Sequence, residues 1–251
     1  MLSKNQLKKL KGLQRKKERI NTGLFVVEGK KIVAELLHSS APYQELYALP
    51  CWFDANPFYA NKENSFELSE RDLAYVSSLA TPNEVFMVLN QFETSSFDQL
   101  SESATILALD GVKDPGNLGT IIRLADWFGI SHVLCAKDSV DLYNPKTVQS
   151  AMGSINKVQL HYGDLPEMFS KFSAHKIYAF DLTGSSIYTT DFAEKSILLM
   201  GSESHGISEE LLKIADQKVT IPSFSNSGID SLNVATATSI ALSQYRSKSV
   251  K

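Results

Sequence analysis

The feature that most constrains this chain is the alternation running through its second half. Short apolar runs (TILALDGV, HVLCA, KVQLHY, KIYAFDL, SILLMG, KVTIP) alternate with helical patterns (NLGTIIRLADWFG, NPKTVQSAMG, DLPEMFSKF, ISEELLKIAD, SLNVATATSIALSQY). Apolar runs without polar interruption suit strands buried on both faces, and the helices between them supply the crossovers that parallel strands require. The expectation is an α/β domain over residues 104–251, a parallel sheet covered by helices on both faces. Ligands on such sheets bind beyond the carboxyl ends of the strands.

The first 93 residues form a smaller α/β pattern. A helix is expected over 3–20, with Leu7, Leu10, Leu13 and Ile20 on one side and cations around the rest. GLFVVEG reads as a strand, and Lys30 to Ser39 as a helix that buries Ile32, Val33, Leu36 and Leu37. ELYAL is a strand, followed by the aromatic segment CWFDANPFY; Ser69 caps a further helix, and EVFMVLNQF closes the domain as a strand. The polar, Ser-rich residues 94–103 read as a linker.

Net charge is −3, but the distribution is uneven. Residues 1–31 hold ten Lys or Arg and two acids, so this segment is +8 and the remainder −11. A basic arm on an acidic body points to a polyanion partner, whose affinity falls steeply with salt. Lys8, Lys9, Lys11, Arg15, Lys16, Lys17 and Arg19 are the candidate phosphate contacts; a solvated basic helix is the ordinary alternative. Tyr43, Tyr47, Phe58 and Tyr59 are candidates for stacking on bases, whereas Trp52, Trp127 and Phe128 read as core or interface. The start of the chain lacks the apolar stretch of a secretion signal, and no apolar run reaches membrane-spanning length. Cys51 and Cys135, and the five histidines, show no metal-ligand spacing. The expectation is a cytoplasmic protein with reduced core thiols and no metal, and with His205 an exposed loop residue.

Three segments at strand ends carry unusual residues. In DGVKDPGNLGTIIRLADWFG, Pro115, Gly116 and Gly119 turn the chain into a helix whose buried face is Ile121, Ile122, Leu124, Ala125 and Phe128. Arg123 is read as one turn into that helix, where a cation opposes the macrodipole by roughly 0.3–1 kcal/mol. An anionic ligand would hold it there; standing alone it would be a surface Arg paired with an acid. Neither a Walker loop nor GxGxxG is present, so ATP- or NAD-dependent chemistry is not indicated. In LLMGSESHGIS, Gly201 and Glu203 follow a strand and Gly206 precedes a helix; Gly201 is read as allowing close backbone approach to a ligand. The third segment ends a strand at Ile221-Pro222, loops through SFSNSGID and Gly228, and opens a long helix at Ser231-Leu232-Asn233, with Ser231 the expected N-cap.

In this order the three segments resemble the signature motifs of the SpoU/TrmH family, in the knotted SPOUT class of RNA 2′-O-ribose methyltransferases. The resemblance implies a C-terminal catalytic domain with a deep trefoil knot, dimers packed through that domain, and S-adenosylmethionine as cofactor. It implies that Asn117, Arg123, Glu203, Ser231 and Asn233 form the catalytic centre. The backbone at Gly201, Gly206, Ile221, Pro222 and Leu232 would contact the cofactor. KKLKGLQRKKERINTGLFVVEGKKIVAELL resembles the ribosomal-protein-like RNA-binding domain found ahead of such catalytic domains, which favours 23S ribosomal RNA as substrate over transfer RNA. Ser204 stands where the family commonly has a second Gly, and the eight residues between Ile221-Pro222 and Ser231 make a longer loop than is usual. Family accounts cast the Arg as a general base; guanidinium stays protonated in proteins, so its expected role is to stabilise the developing alkoxide or grip a phosphate. Two other classes are set against this reading. A non-catalytic ribosome-assembly protein would not need the full residue set, and a small-molecule nucleotide enzyme would not need the basic arm.

Overall fold

The computed structural model describes residues 2–93, 105–225 and 231–247; the expected linker at 94–103 and the loop around Gly228 lie outside them. The described chain divides into two compact units, one of residues up to Glu93 together with Asp141–Asn156, the other of the remainder.

In the first unit, two helices, α1 (Lys4–Gly12) and α2 (Lys16–Thr22), stand where a single helix was expected. α1 opens on a capping box: Ser3 Oγ accepts from Gln6 N–H (3.3 Å) and Gln6 Oε1 accepts from Ser3 N–H (2.8 Å). The helix stops after Gly12, a poor helix former, and Arg15 is extended. The break buries Leu10 and Leu13 but leaves Ile20, expected on the apolar side, 67% exposed. It also folds Arg19 back, so that its guanidinium donates to Leu13 O (3.1 Å) and Gln14 O (2.8 Å) and pairs with Asp141 (2.5 Å).

The unit continues as β1 (Leu24–Glu28), α3 (Lys30–His38), β2 (Glu45–Ala48), α4 (Pro50–Ala55), α5 (Pro57–Ala60), β3 (Ser65–Glu67), α6 (Glu70–Val76) and β4 (Val85–Asn90). The strands form one sheet, β1-β4-β2-β3, antiparallel except for β2 against β3. Ser69 caps α6 as expected, accepting from Asp72 N–H at 3.1 Å. Leu10 and Leu13 join Val26, Tyr47, Leu73, Val76 and Phe86 in the core.

The second unit starts with β5 (Thr105–Asp110), α7 (Pro115–Trp127) and β6 (His132–Ala136). The next helix, α8 (Pro145–Ala151), and the 3-10 turn Met152–Asn156 belong to the first unit. There Tyr143 lies 4.6 Å from the Phe25 ring and its hydroxyl accepts from Phe92 N–H (2.8 Å). Gly153 N–H donates to Glu35 Oε2 (2.8 Å), and a Cβ at 153 would come within 2.7 Å of that oxygen. The sequence NPKTVQSAMG reads as a helix wherever it packs.

The second unit then runs β7 (Gln159–Gly163), α9 (Leu165–Phe169), β8 (Lys176–Ser186), β9 (Ser196–Gly201), α10 (Glu209–Ile214), β10 (Gln217–Thr220) and α11 (Val234–Ser247). Its six strands lie in the order β10-β8-β9-β5-β6-β7, all parallel, as the apolar runs predict. Ile106, Ala108, Ile197 and Leu199 pack with Leu165, Phe169 and Leu211 of α9 and α10. The intervening Leu107, Leu109, Leu198 and Met200 are also buried, and strand alternation turns them to the opposite face. α11 covers that face: Tyr245 OH meets Thr105 Oγ1 (2.8 Å) and donates to Glu194 O (2.7 Å). α11 packs on α7, whose last carbonyls are capped by Arg246, through Nε to Phe128 O (2.9 Å) and through its terminal nitrogen to Gly129 O (3.3 Å).

Candidate active site

The sheet register aligns the carboxyl ends of β5 and β9, with Asp110 beside Gly201. The first two unusual segments leave from there, and the third from the carboxyl end of β10 in the same parallel sheet. Asp110 accepts from Ser208 N–H (2.7 Å), which ties the start of the first segment to the end of the second.

α7 begins at Pro115, with Asp114 as N-cap accepting from Asn117 N–H (2.8 Å). Asn117 is therefore in the first turn. Arg123 is not: six residues further on, it lies about 9 Å along the axis and about 240° around it. The macrodipole argument for Arg123 is overturned, because the dipole acts only within the first turn. Arg123 is exposed and makes no hydrogen bond or ion pair among the described residues. It shares an exposed stripe with Thr120 and with Trp127, which is 85% exposed.

After β9 the backbone folds into a tight hairpin: Ser202 N–H donates to Gly206 O and Gly206 N–H to Ser202 O, both at 3.0 Å. Glu203, Ser204 and His205 form its exposed tip. Gly201 is needed by the hairpin itself: a Cβ there would lie 2.2 Å from Gly206 C, so the hairpin's own backbone approaches it closely. Gly206 has φ +66, where glycine is favoured, and both its backbone groups are used in the hairpin, while a Cβ there would meet nothing within 4 Å.

In the third segment the cap differs from expectation. Asn233, not Ser231, caps α11: its Oδ1 accepts from Ala235 N–H (2.9 Å) and Thr236 N–H (3.3 Å). Ser231 stands two residues too early, since the first helical residue is Val234. The Asn233 amide donates to Asn117 Oδ1 (3.0 Å), and the Asn117 amide donates to Glu203 Oε1. One continuous hydrogen-bonded line thus joins residues from three segments distant in sequence: Glu203, Asn117, Asn233 and the N-terminus of α11. Ser231 is exposed and stands outside that line.

The cofactor residues gather at the same end of the sheet. Thr220, the last residue of β10, donates through Oγ1 to Leu182 O (3.1 Å), and Ile221 and Pro222 follow it half-buried. Leu182 is 71%, Phe224 89% and Leu232 45% exposed. Apolar side chains left uncovered near polar ones suit a ligand with a flat apolar part and polar edges. An adenosyl group is of that kind, so the residues present fit S-adenosylmethionine.

The other sequence candidates separate on burial. Lys8, Lys9, Lys11, Arg15, Lys16 and Lys17 are exposed, but Arg19 is 3% exposed and committed to Asp141 and two carbonyls, so it is closed to phosphate. Tyr47 is a core residue whose hydroxyl is raised in pKa by burial and then by Glu45. Phe58 is exposed and Tyr59 half-buried. Cys135 is buried, with its thiol pushed up by that burial, whereas Cys51, expected in the core, is exposed. His205 is exposed. Among the described residues no group of three His, Cys, Asp or Glu is placed to hold a metal ion, and no helix is long and apolar enough to cross a membrane.

A parallel α/β sheet with this three-segment polar centre at its carboxyl end defines a class of transferase site, and comparison with known proteins agrees. Residues 104–243 match the model of the SpoU rRNA methylase family, and residues 4–87 that of an MRM3-like substrate binding domain. The chain belongs to the SpoU rRNA methylase family. It is 31% identical to the 23S rRNA (guanosine(2553)-2′-O)-methyltransferase RlmP of Bacillus subtilis, over 97% of each chain. Among solved structures it is similar to a TrmH-family protein of Porphyromonas gingivalis (35% identity, TM-score 0.82, 99% of each chain). It is also similar to an rRNA methyltransferase of Sinorhizobium meliloti determined with bound AdoMet (28% identity, TM-score 0.86, 100% of this chain and 97% of that one).

Proposed function

We propose that this protein transfers a methyl group from S-adenosylmethionine to a ribose 2′-OH of 23S ribosomal RNA in the cytoplasm. The observation that carries the reading is the hydrogen-bonded line Glu203–Asn117–Asn233, which is of no use to the sheet and gathers polar side chains where a ligand would bind. Ribosomal RNA is favoured over transfer RNA because relatives named for ribosomal RNA match nearly the whole chain, the first domain included. On this reading residues 1–93 bind substrate and 104–251 carry the knotted catalytic domain.

When bound, S-adenosylmethionine supplies a methyl group already activated on a sulfonium. Backbone at Gly201, Gly206, Ile221, Pro222 and Leu232 would hold it, and the protein's remaining task is to position and polarise the hydroxyl. Asn117 uses both ends of its amide and thereby fixes the Glu203 side chain, which can accept a hydrogen bond from the ribose hydroxyl. Asn233 cannot turn away without uncapping α11, so the line is held by the helix itself. Ser231 lies beside it and would orient the hydroxyl. Arg123 stays cationic and acts on the developing alkoxide or a neighbouring phosphate rather than taking the proton.

Arg123 and Asn117 leave α7 in different directions, and Trp127 stands uncovered one turn beyond Arg123. This favours a homodimer through the α7 face, in which Arg123 serves a site that one chain does not complete. The test is methyl transfer from radiolabelled S-adenosylmethionine to unmodified 23S and transfer RNA transcripts, followed by digestion and identification of the labelled nucleoside. Label is expected in a 2′-O-methylnucleoside of the ribosomal transcript and lost in Arg123→Ala. Near-full turnover by Arg123→Lys would refute a role for the guanidinium fork.

A further inference from the structure

The first unit carries an open groove of about 610 Å³ between α3 and the α4–α5 pair. Ala34 on one wall and Ala55 on the other are short and leave the space between the helices unfilled. The aromatic wall is Trp52, itself buried, and Tyr59. Beside Tyr59 and outside the groove's lining, Phe58 is 72% exposed, edge-on to Tyr59 at 5.1 Å. The Lys62 ammonium lies 4.4 Å from the centre of the Phe58 ring and 5.3 Å from that of Tyr59. The Asn56 amide donates to Trp52 O (2.8 Å), which leaves its carbonyl oxygen free to accept. Lys30, paired with Glu84 at 2.9 Å, and His38 also line the groove.

Single-stranded RNA is bound by this combination: flat rings for the base, one or two polar groups for its edge, and cations for the backbone. A groove shaped for a protein helix would instead be apolar along its length. Every residue named lies inside the segment that matches a substrate-binding domain model.

We infer that this groove, together with the exposed ring of Phe58 beside its Tyr59 wall, seats one unpaired nucleotide of the RNA substrate, with its base stacked on Phe58 and edge-on to Tyr59 and its phosphate on Lys62. The inference rests on the reading of the protein as an RNA methyltransferase and adds a recognition site to it. The site is separate in sequence from the candidate phosphate contacts Lys8 to Arg19 and from the reacting centre.

The experiment uses the full chain, unmodified 23S transcript and unmethylated large ribosomal particles, with Phe58→Ala, Tyr59→Ala, Lys62→Ala and Phe58→Trp. RNA KM, kcat at saturating RNA and S-adenosylmethionine affinity are measured, and 4-thiouridine cross-links to protein are mapped by mass spectrometry. Each alanine variant should raise KM for RNA roughly tenfold, the usual scale for one stacked base, with kcat and cofactor affinity unchanged. Phe58→Trp, which keeps a stacking surface, should behave as wild type, and cross-links should fall between Trp52 and Lys62. Variants that match wild type on both substrates, while RNA is methylated, would overturn the groove and leave the function standing. A defect on particles alone, with no RNA cross-link here, would mean that a ribosomal protein occupies the groove, and would equally overturn it. If wild-type protein methylates neither substrate, the functional reading fails and this inference falls with it.

Discussion

Asn233 holds two positions at once, and its substitutions separate them. Asn233→Ala removes the cap of α11, which costs about 1 kcal/mol, and also releases Asn117. A lower Tm together with a fall in kcat of at least tenfold is expected. Asn233→Asp keeps the capping oxygen but sets an acceptor against Asn117 Oδ1; Tm should hold while kcat falls. Full kcat in Asn233→Asp would show that the Asn117 contact is idle. Gly201 gives a second test. Alanine there would place its Cβ 2.2 Å from backbone that cannot yield as a side chain can, so the 202–206 hairpin must shift. Gly201→Ala should abolish S-adenosylmethionine binding in calorimetry while the far-UV spectrum is retained.

At the scale of elements, Arg19 and its neighbours on α2 look alike in sequence and behave differently. Arg19→Ala strands Asp141 and two carbonyls, and should lower the urea-unfolding free energy by about 3 kcal/mol. Lys16→Ala and Lys17→Ala should leave stability unchanged and each reduce the salt dependence of RNA affinity by about one unit of slope. This contrast marks where sequence reading stops. Strands, the Ser69 cap and the parallel sheet were legible because apolar period and turn residues are local signals. The burial of Arg19 and the assignment of α8 to the first unit were not, since each depends on a partner over a hundred residues away: Asp141 for Arg19, Glu35 for Gly153. In the site, motif residues identified Asn117, Glu203 and Asn233. Capping by Asn233 rather than Ser231, and the distance of Arg123 from the start of α7, needed a helix start that pattern alone leaves two or three residues uncertain.

For the molecule as a whole, the histidine pair across β6 and β7 sets a pH limit. His161 Nε2 lies 3.4 Å from His132 Nδ1. His161 is pushed down to about 4, first by burial and then by His132; His132 is lowered by burial. Between the ordinary histidine value near 6.5 and about 4, the unfolded chain binds more protons than the folded one, so stability falls as pH drops through that window and is unaffected above it. Urea midpoints should be level above pH 7 and decline below 6.5; His161→Gln should flatten the decline. Trp127→Glu should convert a dimer to a monomer in sedimentation analysis, and a monomeric wild type would remove the proposed interface. The division of the chain into units has a further consequence, for the order in which the protein can be made. The first unit includes Asp141–Asn156, so a nascent chain that has emerged as far as Glu93 has no Tyr143 for Phe25, no Asp141 for Arg19 and no Gly153 amide for Glu35. Its first domain finishes folding only after β5, α7 and β6 of the second have been translated. Until then an incomplete apolar surface stands open to chaperones, and a ribosome stalled in that interval leaves a chain that cannot close either unit.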